Sequence, residues 1–359
     1  MSYTILFPNY TIGENPFTEV PNICQRYGTK ITVIGGKTAL SKVAADLEKA
    51  VEGSELEILD MLWYGGEATL EHVATLKNNP AVQNADMLFA VGGGRAIDTC
   101  KMLAHDLNMP FMTVPTIAST CAACTGVAVY YYPNGEFRDL YLSDVPANHI
   151  FIPTQVIAAA PDEYLWAGIG DTLAKHYESV FSSRNDELEH FNALGVNIST
   201  MSAEPLVKYG KQAMEDSKKD QTSAAMEQII LAIIVSTGLV SNLVINDYNS
   251  ALAHSIYYGS TAVDAVAEKH LHGEIVAYGV LVLLMLDQQQ TELERIFRFN
   301  KSIGLPTKLA DLDITTDEDL EKVLDKAVAT KDIEHVPYVI TREMIKKAIL
   351  DLEAYNLNS

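Results

Sequence analysis

Short apolar, β-branched runs alternate with helical stretches through the first half of the chain, and this alternation is the strongest constraint on the fold. The candidate strands cover residues 31–34, 56–62, 87–91, 111–114 and 150–152. Between them, segments 39–51, 68–78 and 96–107 carry apolar residues three and four positions apart, which is typical of helices that pack on a sheet. The pattern predicts a parallel sheet covered by helices.

The pattern changes after the candidate strand 111–114. An Asn134-Gly135 pair between runs 127–132 and 137–141 predicts a hairpin, because this pair tolerates the positive φ of a tight turn. After residue 152 the strand-like runs stop, and the spacing of apolar residues predicts helices over 162–183, 187–209, 222–244, 250–257, 276–287 and 342–353. We therefore predict an α/β domain over residues 1–157 and an all-α domain over residues 158–359.

Charge and composition exclude several classes of protein. The formal net charge is −21, from 47 acidic and 26 basic residues, and no basic run could neutralise a row of phosphates, so a nucleic-acid partner is not expected. The N-terminus lacks an export signal, and the apolar stretch 229–244 is interrupted by Ser236, Thr237 and Gly238, so no membrane span is predicted. Four cysteines in such a chain predict reduced thiols and a cytoplasmic location.

One strand leads into a run of glycines and then into a helix. Gly92, Gly93 and Gly94 follow the apolar run 87–91, and Arg95 and Asp98 lie in the helix that comes next. Glycines let backbone N–H groups approach a pyrophosphate, and a helix N-terminus favours negative charge. The spacing is not G-x-G-x-x-G, so a tight structural turn is the alternative. A hydroxyl-rich run, 113–121, ends the next strand at the edge where ligands of such sheets bind, and the two features together predict a Rossmann-like dinucleotide site.

The end of the first predicted strand bears on the choice of dinucleotide. Residues 35–38 are Gly-Gly-Lys-Thr, where NAD-preferring members of the family that the chain resembles by the five motifs given below carry an acidic residue for the ribose hydroxyls. Nothing there repels a 2′-phosphate, and Lys37 at a helix start could bind it, which favours NADP(H) over NAD(H). The alternatives are that Lys37 is a solvated surface lysine, that Gly36 only shapes the turn, and that both cofactors are used.

Three residues of the helical half have the chemistry of a metal site. Asp171 lies in GIGDTLAK, His254 in ALAHS and His272 in HLHGE. One carboxylate and two imidazoles suit a catalytic divalent metal that keeps an open coordination position. Their separation in sequence leaves a second interpretation, in which the histidines are hydrogen-bonded core residues.

Five motifs, GGGRAID, VPTIAST, GIGDTLAK, ALAHS and HGEIVAYG, resemble in order and interval the glycerol dehydrogenase branch of the iron-containing alcohol dehydrogenase family. The resemblance implies a dehydroquinate synthase-like architecture, a homo-oligomer, and Zn²⁺ or Fe²⁺ held by Asp171, His254 and His272. It also implies that the dinucleotide site, which includes the glycine motif, is lined by Gly94, Arg95, Thr116, Ser119, Thr125, Val127 and Tyr131. The implied reaction moves a hydride between the nicotinamide and the CH–OH or C=O carbon of a small polar substrate.

A departure from the family pattern bears on the substrate. Cys121 stands where the glycerol-using members place an aspartate that binds the polyol, and a thiol cannot replace a carboxylate acceptor. Segment 116–123 and LHGEIVAYG more closely resemble the hydroxycarboxylate dehydrogenase A group, whose members reduce 2-oxo acids to 2-hydroxy acids. The favoured prediction is therefore NADPH-dependent reduction of a 2-oxo acid, with NAD-dependent oxidation of glycerol as the alternative.

Other interpretations are weaker. Cys121 and Cys124 have the spacing of a redox pair or half a zinc site, but there is no second pair and no thioredoxin pattern. A lyase similar to dehydroquinate synthase would need a lysine-rich phosphate site that is not evident. A non-catalytic dinucleotide sensor is disfavoured because all three presumed ligands are retained. No general base is assigned, and His270 or His176 could relay a proton.

Overall fold

The computed structural model describes residues 3–143 and 145–357, which form two compact units. The first unit comprises the described residues up to Asp162 together with Asp216–Ile230. The second comprises Glu163–Glu215 and the described residues from Leu231 onward. A single domain boundary between residues 157 and 158 stays a prediction.

A six-stranded parallel sheet forms the centre of the first unit, and a separate two-stranded antiparallel ribbon accompanies it. The strands are β1 Asn9–Gly13, β2 Lys30–Gly35, β3 Glu57–Trp63, β4 Met87–Gly92, β5 Phe111–Pro115, β6 Ala128–Tyr131, β7 Phe137–Tyr141 and β8 His149–Pro153. The large sheet has the order β1-β8-β5-β4-β2-β3, and β6 pairs with β7. The predicted α/β fold class and the hairpin are confirmed.

Strand β1 was not predicted. It lies at the edge of the sheet, where Tyr10 pairs with Ile150 of β8, and its five residues are exposed or only half-buried. An edge strand of this kind has no continuous apolar run, because one of its sides faces away from the core. Its pairing with a strand about 140 positions later in the chain decides its conformation.

The connections of the sheet create a place for a ligand. From β2 the chain runs first to β3 on one side and then to β4 on the other, so the strand order reverses at the β2–β4 boundary. In open α/β sheets, ligands bind outside the carboxyl ends of the strands at such a reversal. Gly35 of β2 pairs with Val91 of β4 there, next to both glycine-containing loops.

Helices cover both faces of the sheet and bury its apolar side chains. The helices of this part are α1 Val20–Cys24, α2 Lys37–Val51, α3 Leu70–Lys77, α4 Pro80–Gln83, α5 Gly94–Leu107 and α6 Thr154–Ala158. One core cluster joins Val43 and Leu47 of α2 to Val33, Phe89 and Phe151 of the sheet. The near-continuous apolar strands are thus explained by burial on two faces.

The chain after residue 161 is helical. Its helices are α7 Asp162–Ser182, α8 His190–Ile198, α9 Glu204–Ser217, α10 Ala224–Leu231, α11 Thr237–Leu243, α12 Leu252–Ser260, α13 Asp264–Lys269, α14 His272–Leu286, α15 Gln290–Ile303, α16 Asp317–Ala327 and α17 Arg342–Leu357. Residues 275–284 of α14 are all buried. A helix that is apolar all round belongs in a core, and α14 is the central helix of the second unit.

The predicted helices differ from the structure in two respects. The helix predicted over 187–209 is divided into α8 and α9 by a 3₁₀ segment, Ser199–Ser202. Pro205 is the reason, because proline is tolerated in the first turn of a helix but not in its interior. Two long helices, α15 and α16, were not predicted. Helix α16 nevertheless has a local signal, because its Thr316 cap accepts a hydrogen bond from the Asp319 N–H and its first turn is acidic.

One helix, Ala224–Leu243, is long and apolar enough to cross a membrane by length and composition alone. It includes the π-helical turn Ala232–Ser236 between α10 and α11. Its most apolar stretch of 18 residues is 56% buried inside the protein. Core helices of soluble proteins can be equally long and apolar. The helix is therefore weak evidence for a membrane span.

Candidate functional site

Two helix N-termini lie side by side at the carboxyl edge of the sheet. Helix α2 begins after Gly36 and α5 begins after Gly93, and neither cap residue offers a side-chain hydrogen bond. Strands β2 and β4, which lead into them, are hydrogen-bonded neighbours. Uncapped N–H groups and two helix dipoles at one edge form an arrangement that suits a phosphate group.

The conformation of the glycine loop explains one of its residues. Gly92 has φ +146°, a conformation that L side chains rarely adopt, and a Cβ there would lie 2.9 Å from Cβ of Ala96. Its carbonyl accepts a hydrogen bond of 3.2 Å from the N–H of Thr116. Thr116 is thereby held beside the glycine loop, as the dinucleotide hypothesis requires.

The hydroxyl-rich segment after β5 folds over the same loop. The Thr120 hydroxyl lies 3.7 Å from the position that a Cβ on Gly94 would occupy. Cys121 is half-buried and begins a turn in which its carbonyl accepts the N–H of Cys124 at 2.9 Å. The four cysteines, all of which lie in the described part of the chain, form no disulfide bond. Burial raises the pKa of the Cys124 thiol above its ordinary range, which disfavours the thiolate that a redox pair needs.

Further residues predicted to bind the dinucleotide collect near the start of α5. The guanidinium of Arg95 lies 5.6 Å from the centre of the Tyr131 ring and makes a 3.1 Å ion pair with Glu67. At the start of α2, the ammonium of Lys37 lies 4.5 Å above the ring of Trp63, an exposed side chain. Since the Trp63 ring covers only one side of the Lys37 ammonium, the ammonium can keep this contact and bind a negatively charged ligand at the same time.

Asp98, Thr125 and Val127 serve a buried lysine instead of an open surface. The Nζ of Lys101, with a fully buried side chain, donates to Asp98 Oδ1 at 3.1 Å, to the Val127 carbonyl at 2.5 Å and to Thr125 Oγ1 at 3.4 Å. The other oxygen of Asp98 accepts the Val129 N–H at 3.0 Å. Burial raises the pKa of Asp98, and the charge of Lys101 opposes that rise. Both carboxylate oxygens of Asp98 are therefore used inside the protein, and its predicted contact with a dinucleotide stays a prediction.

The presumed metal ligands come together in the second unit. Asp171 lies on α7, His254 on α12, and His272 is the first residue of α14. Asp171 Oδ1 lies 3.1 Å from Nε2 of His272 and 3.7 Å from Nε2 of His254. Ligand atoms of a tetrahedral zinc site lie about 3.3 Å apart, since its bonds are about 2.0–2.1 Å long. The three donors therefore fit a shared divalent ion.

Two glycines next to the ligands let the helices approach. Gly170 precedes Asp171 and Gly273 follows His272. A Cβ on Gly273 would lie 1.9 Å from the Ala167 carbonyl oxygen, and one on Gly170 would lie 2.2 Å from the Gly273 oxygen. No larger residue fits at this crossing of α7 and α14. The close approach is what brings the Asp171 carboxylate to the His272 ring.

The electrostatics of the cluster favour a cation. Burial alone would raise the pKa of Asp171, but the two imidazoles reverse this and hold it well below its usual range. Burial likewise opposes the charged form of His254, yet Glu178 and Asp171 raise its pKa to about 10. Positive charge is therefore favoured near the carboxylates of Asp171 and Glu178, and a divalent ion that displaces a proton of His254 would supply it.

The histidines suggested as proton relays have other partners. His270 Nδ1 lies 2.9 Å from a Glu274 oxygen, and His176 Nδ1 lies 2.8 Å from the Ser199 hydroxyl. Tyr257 packs edge-on against the His272 ring at 4.2 Å. Burial, assisted by Asp171, raises the pKa of Tyr257 and keeps it a neutral phenol. Relay by either histidine stays a hypothesis.

Three features of the candidate sites were not predicted from the sequence: Lys101, Glu178, and the glycine pair Gly170 and Gly273. Lys101 could have been suspected, because a lysine three residues after Asp98 in a helix that packs on a sheet needs a partner. Glu178 lies two helical turns after Asp171 and so shares its face of α7. The two glycines flank the ligands within motifs that were used only for their resemblance.

Known proteins resemble the chain along most of its length. The family described as "Iron-containing alcohol dehydrogenase" matches residues 8–151. The glycerol dehydrogenase of Thermotoga maritima is 34% identical over 81% of each chain, and hydroxycarboxylate dehydrogenase A of Escherichia coli K12 is 34% identical over 75% of each. The crystal structure of glycerol dehydrogenase from Schizosaccharomyces pombe superposes with a TM-score of 0.88 and 27% identity, over 99% of this chain and 92% of that one.

Proposed function

The chain belongs to the iron-containing alcohol dehydrogenase family, in its glycerol dehydrogenase branch, and from that premise we propose that it oxidises a small polyol, with glycerol as the first substrate to test. Membership makes it an oxidoreductase that acts on CH–OH groups with a divalent metal and a nicotinamide dinucleotide. The observation that carries the proposal is that the metal-binding atoms of Asp171, His254 and His272 lie within 4.8 Å of one another.

Residues of the first unit are proposed to bind the dinucleotide, and residues of the second unit are proposed to bind the metal. When bound, a divalent ion at the three ligands would polarise the C–O bond of the substrate as a Lewis acid, and the nicotinamide would accept or deliver the hydride. Asp171 contributes the anionic ligand, and the two histidines contribute neutral nitrogens. The uncapped N-termini of α2 and α5 bind the phosphates of the dinucleotide, and the His272 side chain, 37% exposed, marks the side of the cluster open to substrate.

Reduction of a 2-oxo acid is the second candidate. The sequence motifs alone favour this reaction, but the glycerol dehydrogenases among the relatives favour the polyol. The second candidate is supported by Cys121, because a thiol at this position offers no carboxylate to a polyol. The equal identity to hydroxycarboxylate dehydrogenase A, 34%, points the same way.

A single set of rate measurements tests both candidates. Glycerol oxidation with NAD⁺ and NADP⁺ is compared with reduction of 2-oxobutanoate and 2-oxoglutarate by NADH and NADPH. Each is repeated after a chelator and after Zn²⁺ or Fe²⁺ is restored. Chelator-sensitive glycerol turnover supports the proposal, and turnover of the 2-oxo acids alone replaces it with the second candidate. Dinucleotide binding without any turnover would identify a sensor.

Replacement of Cys121 by aspartate is expected to raise kcat/KM for glycerol by about 10-fold or more, because a hydrogen bond to a charged group contributes about 1.5–3 kcal/mol. The new carboxylate should repel 2-oxo acids and lower their reduction. Initial rates with the two substrate classes measure both effects. Cys121→Ser is the matched control, since its hydroxyl adds no charge. An equal response of the two variants would exclude a specificity role for residue 121.

Replacement of Lys37 by alanine is expected to lower kcat/KM for NADPH about 10-fold and to leave NADH nearly unchanged, which corresponds to about 1.4 kcal/mol of lost phosphate binding. Lys42→Ala is the control, because Lys42 is exposed on the same helix but lies beyond its first turn. If both cofactors lost affinity equally, Lys37 would serve only to pack on Trp63, and the preference for NADP(H) would lose its support.

We further propose that the substrate is a small polar molecule, that the enzyme is a cytoplasmic homo-oligomer, and that neither nucleic acid nor a membrane is a partner. The formal net charge of −21 supports the last point for nucleic acid and for anionic membrane surfaces.

A further inference from the structure

Glu178 is a fully buried carboxylate in the second unit, with 0% of its surface exposed. It lies on α7, two turns after the ligand Asp171. A carboxylate in such a place is costly unless hydrogen bonds and charge compensate it. Its partners therefore indicate its role.

Both oxygens of Glu178 bind the helix that carries His254. One oxygen accepts the backbone N–H of Ala251 at 2.7 Å and that of His254 at 3.0 Å. The other lies 2.6 Å from Nδ1 of His254. Helix α12 begins after Ala251, a residue that offers no side-chain cap. Glu178 supplies that cap from a neighbouring helix and holds the first turn of α12 in place.

The contact with Nδ1 selects one form of the imidazole. An ionised carboxylate only accepts hydrogen bonds, so the proton of a neutral His254 is on Nδ1 and the lone pair is on Nε2. Nε2 is the nitrogen that faces Asp171 Oδ1, at 3.7 Å. From this geometry we propose that Glu178 is a positioning residue that fixes the tautomer and ring orientation of His254 for metal binding. The inference rests on the proposed metal site and adds a residue to it.

The isosteric variant Glu178→Gln separates positioning from packing. Its amide oxygen can still accept the two backbone N–H groups, while its NH₂ group then faces Nδ1. The reverse orientation places NH₂ against two N–H donors and is worse. His254 must accept at Nδ1 and move its proton to Nε2, where the proton competes with the metal.

The Zn²⁺ affinity of Glu178→Gln, measured by competition with a chelator in the absence of substrate, is expected to fall about 10- to 100-fold. Glu292→Gln is the matched control. Glu292 accepts the hydroxyl of Tyr177, the residue before Glu178, at 2.8 Å but makes no contact with His254 among the described residues. The control should bind Zn²⁺ like the parent. Equal affinity of Glu178→Gln and the parent would refute the inference.

A measurement on the unaltered protein covers the case in which Glu178→Gln does not fold. ¹⁵N NMR of the Zn²⁺-loaded parent, labelled at histidine and assigned with a His254→Gln sample, is expected to show coordination through Nε2 and a proton on Nδ1. Coordination through Nδ1 would overturn the role of Glu178 and leave the metal site intact. Failure of the parent to bind Zn²⁺ or Fe²⁺ would overturn the proposed function as well.

Discussion

Asp171→Asn is expected to lower kcat/KM by about 10³-fold or more and to leave the purified protein without its metal. Asp171 is the sole anionic member of the ligand cluster, and a neutral amide is a much weaker ligand for a divalent ion. Loss of several kcal/mol of Lewis-acid stabilisation corresponds to a rate loss of this size. Initial rates and metal content, determined on the same preparations, measure the two effects.

Asp325→Asn is the control for this prediction. Asp325 is 69% exposed and pairs with Arg342 at 2.7 Å on the second unit, so its replacement should change neither rate nor metal content. A variant Asp171→Asn that kept both metal and activity would remove the cluster from the mechanism. Loss of activity with full metal content would place Asp171 in a different role.

Lys101→Met is expected to destabilise the first unit by about 3–5 kcal/mol, because it leaves the buried Asp98 carboxylate without its counter-charge. For a unit of this size the melting temperature should fall by about 10 °C. The segment that includes Thr125 and Val127 loses its anchor at the same time, so dinucleotide affinity should fall as well. Thermal unfolding and a binding titration measure the two losses.

A surface pair provides the comparison for Lys101. Lys77 makes a 2.6 Å ion pair with Asp106, and both side chains are about half exposed, so Lys77→Met should cost at most about 1 kcal/mol. The double variant Asp98→Leu/Lys101→Met removes both buried charges and should recover part of the lost stability. Equal effects of Lys77→Met and Lys101→Met would contradict the assignment of Lys101 as a buried anchor.

The proposed metal site illustrates how much of a site short motifs predict. Asp171, His254 and His272 were selected because their chemistry suits a divalent ion and because the motifs around them resemble a known family. The structure brings their donor atoms within 4.8 Å. Glu178 escaped notice because its significance lies in a contact with a residue 76 positions later in the chain, and no local pattern encodes such a contact.

The proposed dinucleotide site shows the same difference between local signals and tertiary contacts. The strand-to-glycine transition at Gly92 is a local signal, since the loop needs a φ that only glycine adopts readily. Asp98 belongs to the same motif, yet its carboxylate faces Lys101 and the Val129 N–H inside the protein. Side-chain direction depends on what packs against a helix, and a motif contains no such information.

Local physics accounts for the alternation of strands and helices, the hairpin at Asn134-Gly135 and the apolar character of α14, because periodicity and turn chemistry act over a few residues. Tertiary contacts decided that Asn9–Gly13 forms an edge strand and that Gly170 and Gly273 mark a helix crossing. Each of these depends on a partner far away in the chain. Pairing and close packing are properties of the folded chain, and they bring the donor atoms of three separate motifs together in one candidate site.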